Sequence, residues 1–164
     1  MPTAEPARRP VLTPLAAERD LGLVDALAQL SFVIQGVLGR IVAAHGASIV
    51  QARLLGILRD RRPTVNELAR LLQLDKSSVT GLVDRAEERG LVSRAPSSTD
   101  GRSVQVNLTP AGRRLIERAV SEFEAEISGL VAGLSQPQLD QLSATATLIV
   151  AEDARRRGVK TARK

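Results

Sequence analysis

The segment from Asp75 to Thr80 brings short polar side chains together where a helix is predicted to begin. Within it, Lys76 offers an ammonium group, and Ser77, Ser78 and Thr80 offer hydroxyl groups. Such groups form hydrogen bonds with base edges and phosphate oxygens, and a helix N-terminus also favours phosphate. Taken alone, this pattern is more often an ordinary solvated helix start. Its interpretation therefore depends on the elements around it.

Covalent catalysis and metal binding have little support in the composition. The chain has 164 residues, no cysteine and a single histidine, His45, which excludes thiolate chemistry and argues against a zinc site. The sequence contains no plausible Ser-His-Asp set and no Gly-rich phosphate loop. Asp84, Glu87 and Glu88 cluster on one predicted helix, but carboxylates at helical spacing are usually solvated. We therefore predict a protein that is not an enzyme and that needs no metal or cofactor.

The excess positive charge is confined to the middle of the chain. The net charge is +5, and residues 53–114 carry twelve Lys and Arg against seven Asp and Glu, whereas the two flanking segments are each balanced. A basic module between neutral flanks is typical of a protein that binds a polyanion. A solvated basic face explains the charge alone equally well.

Residues 48–114 are predicted to form a winged helix-turn-helix. Two residue pairs with capping-box spacing, Ser48–Gln51 and Thr64–Glu67, begin two helices. A tight turn leads to a third helix, which Asp75 caps and Gly90 ends. An alternating apolar pattern then predicts a β-hairpin with a long polar tip. In this arrangement the third helix, which we call the recognition helix, lies in the major groove of duplex DNA.

The predicted hairpin and the recognition helix carry further cationic groups. We place Arg94 and Arg102 near the hairpin tip, where an arginine can reach a narrow minor groove. Asp100 would repel phosphate, so we expect it to hold one of these arginines, although it also forms a turn with Gly101. Arg85 lies further along the recognition helix, where it would contact backbone phosphates or acidic neighbours.

The remaining segments are predicted to be helices and tails. Residues 15–47 form a helix that is apolar on more than one face, which favours a dimer interface, and residues 115–154 form two more dimerisation helices. Residues 1–14 are a mobile tail, and residues 155–164 are a basic tail. The predicted fold is thus mainly α with a small β-hairpin wing: a winged helix-turn-helix plus a helical dimerisation domain. No signal peptide or bilayer-length uncharged run is visible, so we expect a cytoplasmic protein without a membrane partner.

Several of these segments resemble the MarR family of bacterial regulators. The most specific are the Ser-Val-Thr-Gly-Leu-Val-Asp-Arg run at 78–85, the Asp-Gly-Arg of 100–102 and the Leu-Thr-Pro-Ala-Gly of 108–112. The order of predicted elements is similar from about Leu15 to Arg155.

The resemblance implies a homodimer in which the first helix and the last two helices intertwine. It implies binding to pseudo-palindromic operators, usually as a repressor, and in many members release of DNA when a small organic ligand binds. By this analogy Arg102 enters the minor groove and Asp100 supports the wing. The residues that contact bases or nearby phosphates are then Lys76, Ser77, Ser78 and Thr80.

The trigger for such a release is less well defined. Without cysteine the chain lacks the reactive group of redox-sensing members, and one histidine is too few for zinc sensing. An organic ligand remains, and Arg40, which shares a helical face with Gln29, could meet its carboxylate. A lone arginine at the edge of a dimer interface is the more frequent reason for such a residue. Regulation without any ligand is also open.

A winged helix that binds another protein rather than DNA is the alternative from a different class. The clustered charge argues against it. A salt titration separates the two, because DNA affinity falls by roughly 0.9 log unit per log unit of salt for each phosphate neutralised.

Overall fold

The structure is a computed structural model that describes residues 21–96 and 103–158. The chain divides into two compact units, Met1–Gly36 and Val37–Lys164. The predicted mobile tail of residues 1–14 lies outside the described residues. So do Asp100, Arg102 and most of the predicted basic tail, so those predictions stay predictions.

Within the described ranges the fold is six helices and one β-hairpin, which confirms the predicted fold class. In chain order the elements are α1 Gly22–Ala44, α2 Ile49–Asp60, α3 Val65–Leu72, α4 Lys76–Glu88, β1 Val92–Pro96, β2 Val104–Leu108, α5 Pro110–Leu130 and α6 Gln136–Arg156.

The helices begin where side chains satisfy their first N–H groups. Ser48 with Gln51 and Thr64 with Glu67 form the two predicted capping boxes of α2 and α3. The carboxylate of Asp75 accepts the N–H of Ser78 at the start of α4. These local bonds explain why the starts of the three helices could be predicted from sequence.

The core of the second unit packs α2, α3 and α4 against the hairpin. Its fully buried side chains include Leu54, Leu55, Leu68, Leu72, Val79, Val83, Val92 and Val106. Leu54, Leu55 and Leu58 of α2 are buried, whereas Val50 in the first turn of α2 is 36% exposed. Because α4 contributes Val79, Leu82, Val83 and Ala86 to this core, its opposite face is held outward.

The hairpin is antiparallel and has a neighbour along its second strand. Val92 pairs with Leu108 and Pro96 with Val104. Thr64 forms a bridge with Gln105, which ties the start of α3 to β2. Backbone bonds therefore fix the wing along β2, where the N–H of Val106 also bonds to Pro63 O at 2.9 Å.

The first helix has a largely apolar surface. Its exposed large apolar side chains within the first unit are Leu23, Val24, Leu27, Leu30, Phe32 and Val33. By length and composition alone α1 could cross a bilayer, because its 23 residues include only Asp25 and Arg40 as charged residues. The expectation of no bilayer-length segment counted uncharged residues alone. Apolar surface of this extent marks a face that another molecule covers.

The last helix extends further than predicted. Residues 115–154 were predicted as two helices, and the first of them, α5, ends at Leu130, where a turn closed by the N–H of Leu134 on Val131 O follows. The basic tail was predicted from residue 155, but α6 continues through Arg156. Glu152 accepts hydrogen bonds from Arg155 and Arg156, which favours helix over tail at these positions.

Candidate nucleic-acid interface

A tight turn sets the direction of α4. Gln73 adopts a left-handed conformation with φ of 59°, and the N–H of Leu74 bonds to Ala69 O at 3.1 Å. This ends α3 and lets Asp75 begin α4 at once. Two short helices joined in this way, both packed on one core, form a helix-turn-helix.

The first turn of α4 presents its polar side chains outward. Lys76, Ser77 and Ser78 are exposed, and Thr80 is half-buried, whereas Val79 between them is fully buried. The structure therefore brings all four of these predicted DNA-contacting residues onto one outward surface. The contact of these four residues with DNA stays a prediction.

The hydroxyl groups of this turn have partners inside the turn. Ser77 Oγ donates to Asp75 Oδ1 at 2.5 Å, and Ser78 Oγ donates to Asp75 Oδ2 at 2.6 Å. Thr80 Oγ1 donates to the carbonyl of Lys76 at 2.8 Å. The hydrogen bonds from Ser77 and then from Ser78 hold the pKa of Asp75 well below its usual range. Asp75 is therefore ionised at neutral pH.

Arginines further along α4 have different surroundings. Arg85, predicted to contact phosphates, is exposed on the helix. Arg89 donates through Nη1 to Gly46 O at 2.9 Å and through Nη2 to His45 O at 3.3 Å. Arg89 thus ties the end of the recognition helix to the turn between α1 and α2.

Arg94 lies at a place different from the predicted one. It is the central residue of β1, not a tip residue. Its guanidinium donates to Asp84 Oδ1 at 2.5 Å and also to the carboxylate of Glu87. The backbone N–H of Arg94 donates to Glu87 Oε1 at 3.1 Å. Only 28% of its side chain is exposed. These contacts give Arg94 a positioning role, because they fix the wing to α4, and its contact with DNA stays a prediction.

Replacing Arg94 with methionine should lower the free energy of unfolding by about 1–2 kcal/mol and weaken DNA binding. The change removes the guanidinium that pairs with Asp84 and Glu87, so two like charges lie close together, while the backbone N–H of residue 94 can still bond to Glu87. Urea unfolding and DNA titration would measure the two effects. Arg156→Met, which removes an exposed pair with Glu152, is the control. Equal losses in both variants would contradict the positioning role.

A second polar feature is an arginine-lined cavity of about 570 Å³ between the end of α2 and the start of α5. Its charged lining consists of Arg59, Arg61, Arg62, Arg113 and Asp60. Asn107 also lines it, and Asn107 Oδ1 is buried with no hydrogen-bond partner among the described residues. Buried acceptors of this kind are commonly satisfied by an ordered water or an ion. The sequence did not predict this cavity, because no local pattern indicates that Arg113 of α5 lies beside the arginines of residues 59–62.

The two residues predicted for a ligand pocket are not brought into that cavity. Gln29 is exposed on α1. Arg40 lies 3.7 Å from Glu126 of α5, and both side chains are more than half exposed. Their role in ligand binding stays a prediction. Among the residues that the structure describes, no group of three or more Asp, Glu, His or Cys could hold a metal ion.

A helix-turn-helix with an exposed polar first turn and a hairpin fixed beside it is a winged helix-turn-helix. The excess of Lys and Arg in residues 53–114 is typical of the DNA-binding class. The sequence profile of the MarR family matches residues 45–103. The transcriptional activatory protein BadR of Rhodopseudomonas palustris is 33% identical over 121 residues, which cover 68% of each chain. The chain belongs to the MarR family of transcription regulators, which confirms the resemblance and the prediction that it is not an enzyme.

Two further comparisons agree with this assignment. The HTH-type transcriptional repressor YetL of Bacillus subtilis is 28% identical over 123 residues, covering 73% of this chain and 74% of YetL. The crystal structure of CouR from Rhodococcus jostii RHA1, bound to p-coumaroyl-CoA, superposes with a TM-score of 0.65 at 25% identity. That match covers 76% of this chain and 89% of CouR.

Proposed function

We propose that this protein is a homodimeric repressor that binds pseudo-palindromic DNA through α4 and the wing and leaves DNA when a small organic anion binds. The observation that carries the proposal is the first turn of α4. Its polar side chains point outward while Val79, Leu82 and Val83 anchor the opposite face in the core. A rigidly held, short-chained polar turn can approach base edges in the major groove. Such a protein works where bacterial DNA lies, in the cytoplasm.

The homodimer is supported by apolar surface that the single chain leaves uncovered. On α1 this surface runs from Leu23 to Val33, and on α6 it includes Leu148 and Val150, which are 71% and 64% exposed. Two copies that bury these faces remove a large apolar area from water. A two-fold dimer also presents two recognition helices, which matches a palindromic operator.

Repression requires fewer additional protein contacts than activation does. A dimer seated on a promoter blocks polymerase by occupying the site, whereas activation needs a further contact with polymerase. The relatives carry both signs in their names, since YetL is a repressor and BadR an activatory protein. A promoter–reporter fusion tests this point: deletion of the regulator should raise expression, and lower expression would make it an activator.

The arginine-lined cavity supports an anionic effector. Arg61 and Arg113 of α5 both line it, and guanidinium groups bind carboxylate or phosphate with paired hydrogen bonds. Aryl carboxylates and p-coumaroyl-CoA, the ligand in the CouR crystal, are suitable probes in thermal unfolding. A compound that raises the Tm of the wild type should raise that of Arg113→Ala less. An equal shift in both proteins would place the effector elsewhere.

The proposal is tested by selecting genomic fragments with the purified protein at near-physiological salt. An enriched palindrome with half-sites about one helical turn apart supports a dimeric reader. Lys76→Ala should reduce the difference in affinity between operator and random DNA. Arg102→Ala should weaken operator binding without unfolding the protein. Bulk binding without any enriched sequence would contradict the proposal and favour an architectural or protein-binding role.

A further inference from the structure

The hydrogen bonds inside the first turn of α4 restrict what that turn can recognise. A serine or threonine hydroxyl has one hydrogen to donate and two lone pairs that accept. The oxygens of Ser77 and Ser78 lie 2.5 and 2.6 Å from the two carboxylate oxygens of Asp75. Distances of this size are typical of an O–H donated to a carboxylate. Because a carboxylate can only accept, both serine hydrogens are directed at Asp75.

The hydroxyl hydrogen of Thr80 is also donated within the helix. Thr80 Oγ1 donates to the carbonyl of Lys76 one turn earlier, at 2.8 Å. Towards a molecule outside the helix, all three hydroxyl groups therefore present lone pairs. Asp75 itself is exposed and acceptor-only. Lys76 is the one side chain of this turn that can only donate.

The major groove offers few partners for such an acceptor surface. The donors on its base edges are the N6 amino group of adenine and the N4 amino group of cytosine, whereas guanine and thymine present acceptors. An acceptor that faces another acceptor loses its hydrogen bond to water and gains none in return. Because these hydroxyl groups present only acceptors, they favour some DNA bases over others.

We infer that Asp75 sets the base specificity of this protein: by holding the hydroxyl hydrogens of Ser77 and Ser78, it makes the first turn of α4 a reader of exocyclic amino groups. Adenine or cytosine stands opposite these hydroxyl groups, and guanine or thymine there is rejected. Lys76 donates to the major-groove edge of guanine or to a phosphate oxygen. The inference rests on the proposed function, because it assumes that α4 enters the major groove.

Asp75→Asn is the variant that separates this role from simple capping. Asparagine is as good an N-cap as aspartate, so α4 should still begin at residue 76. Its amide can donate as well as accept, so a serine that accepts from the amide is free to donate outward. We expect the preference opposite that serine to move from adenine or cytosine towards guanine or thymine.

The experiment starts from operators selected from random duplexes by the wild type, by Asp75→Asn and by Ser78→Ala. Positions where Ser78→Ala loses discrimination identify the bases that Ser78 faces. In the wild-type operator, the adenine there is replaced by purine, or the cytosine by 2-pyrimidinone, in both half-sites, which deletes only the amino group. We expect the wild type to lose affinity about tenfold or more and Ser78→Ala to lose less than about twofold. The same analogue outside the half-sites controls for the weaker duplex.

Three results would overturn the inference while leaving the proposed function intact. They are a wild-type affinity that does not respond to removal of the amino group, a selected guanine or thymine at the Ser78-dependent position, and an Asp75→Asn variant that selects the wild-type operator. If none of the proteins enriches any sequence, the proposed function itself fails, and this inference fails with it. A shifted operator for Asp75→Asn, together with the loss on amino-group removal, supports it.

Discussion

Replacing Gly112 with alanine is expected to lower the free energy of unfolding by about 3 kcal/mol or more, a large part of the stability of a domain of this size. A Cβ on residue 112 would lie 2.0 Å from Leu91 O and 2.9 Å from Leu91 C. These are backbone atoms, and Leu91 O also accepts the N–H of Thr109 at 3.1 Å. The clash cannot be relieved by turning a side chain, so α5 would have to move away from the start of β1.

A matched glycine on the same helix provides the control. Gly129 of α5 has nothing within 4 Å of the place where a Cβ would stand, so Gly129→Ala should stabilise the protein by up to about 1 kcal/mol. Urea unfolding followed by circular dichroism measures both variants. Gly112→Ala with wild-type stability would contradict the close approach of α5 to the backbone of Leu91, and with it the packing that fixes the wing.

Replacing Leu30 with glutamate is expected to separate the proposed homodimer and to weaken operator binding by about 100-fold or more. Leu30 is 43% exposed among the apolar side chains of α1, and a charge buried in an apolar interface carries a large desolvation cost. The loss in DNA binding follows because a monomer engages one half-site and forfeits the gain from binding two together. Light scattering and operator titration measure the two effects.

The control for this variant is Gln35→Glu, which adds the same charge at an exposed polar position of α1. It should remain a dimer. A Leu30→Glu protein that also remains a dimer would contradict the proposed interface. A wild-type protein that needs detergent to stay in solution and partitions into lipid vesicles would instead give the apolar face of α1 a membrane as its partner.

Local signals explain why much of the fold could be predicted. The capping boxes at Ser48–Gln51 and Thr64–Glu67 act over three residues, so sequence spacing alone specifies the helix starts. The recognition helix was predicted from Asp75 to about Arg89 and is observed as Lys76–Glu88. The polar residues of its first turn stand on the expected outward surface for the same reason, because the buried positions of α4 follow helical spacing.

Contacts between distant segments account for what the sequence analysis missed. Asp84 and Glu87 were interpreted as solvated carboxylates, yet both bind Arg94 of β1, and no spacing rule indicates which strand residue reaches a helix. The direction of the Ser77 and Ser78 hydroxyl groups was equally invisible, since residue type does not say whether a hydroxyl donates or accepts. Gly112 was noted only as part of a motif, and the structure supplies its physical reason.

The measurement that tests the central claim most directly is the ratio of affinities for the selected operator and for a shuffled duplex of the same composition at about 150 mM salt. Sequence-specific binding predicts a ratio of about a thousand or more for the wild type. Lys76→Ala should lower that ratio rather than weaken both affinities equally. A wild-type ratio near one, with affinity for both duplexes falling steeply as salt rises, would contradict the claim that α4 reads sequence.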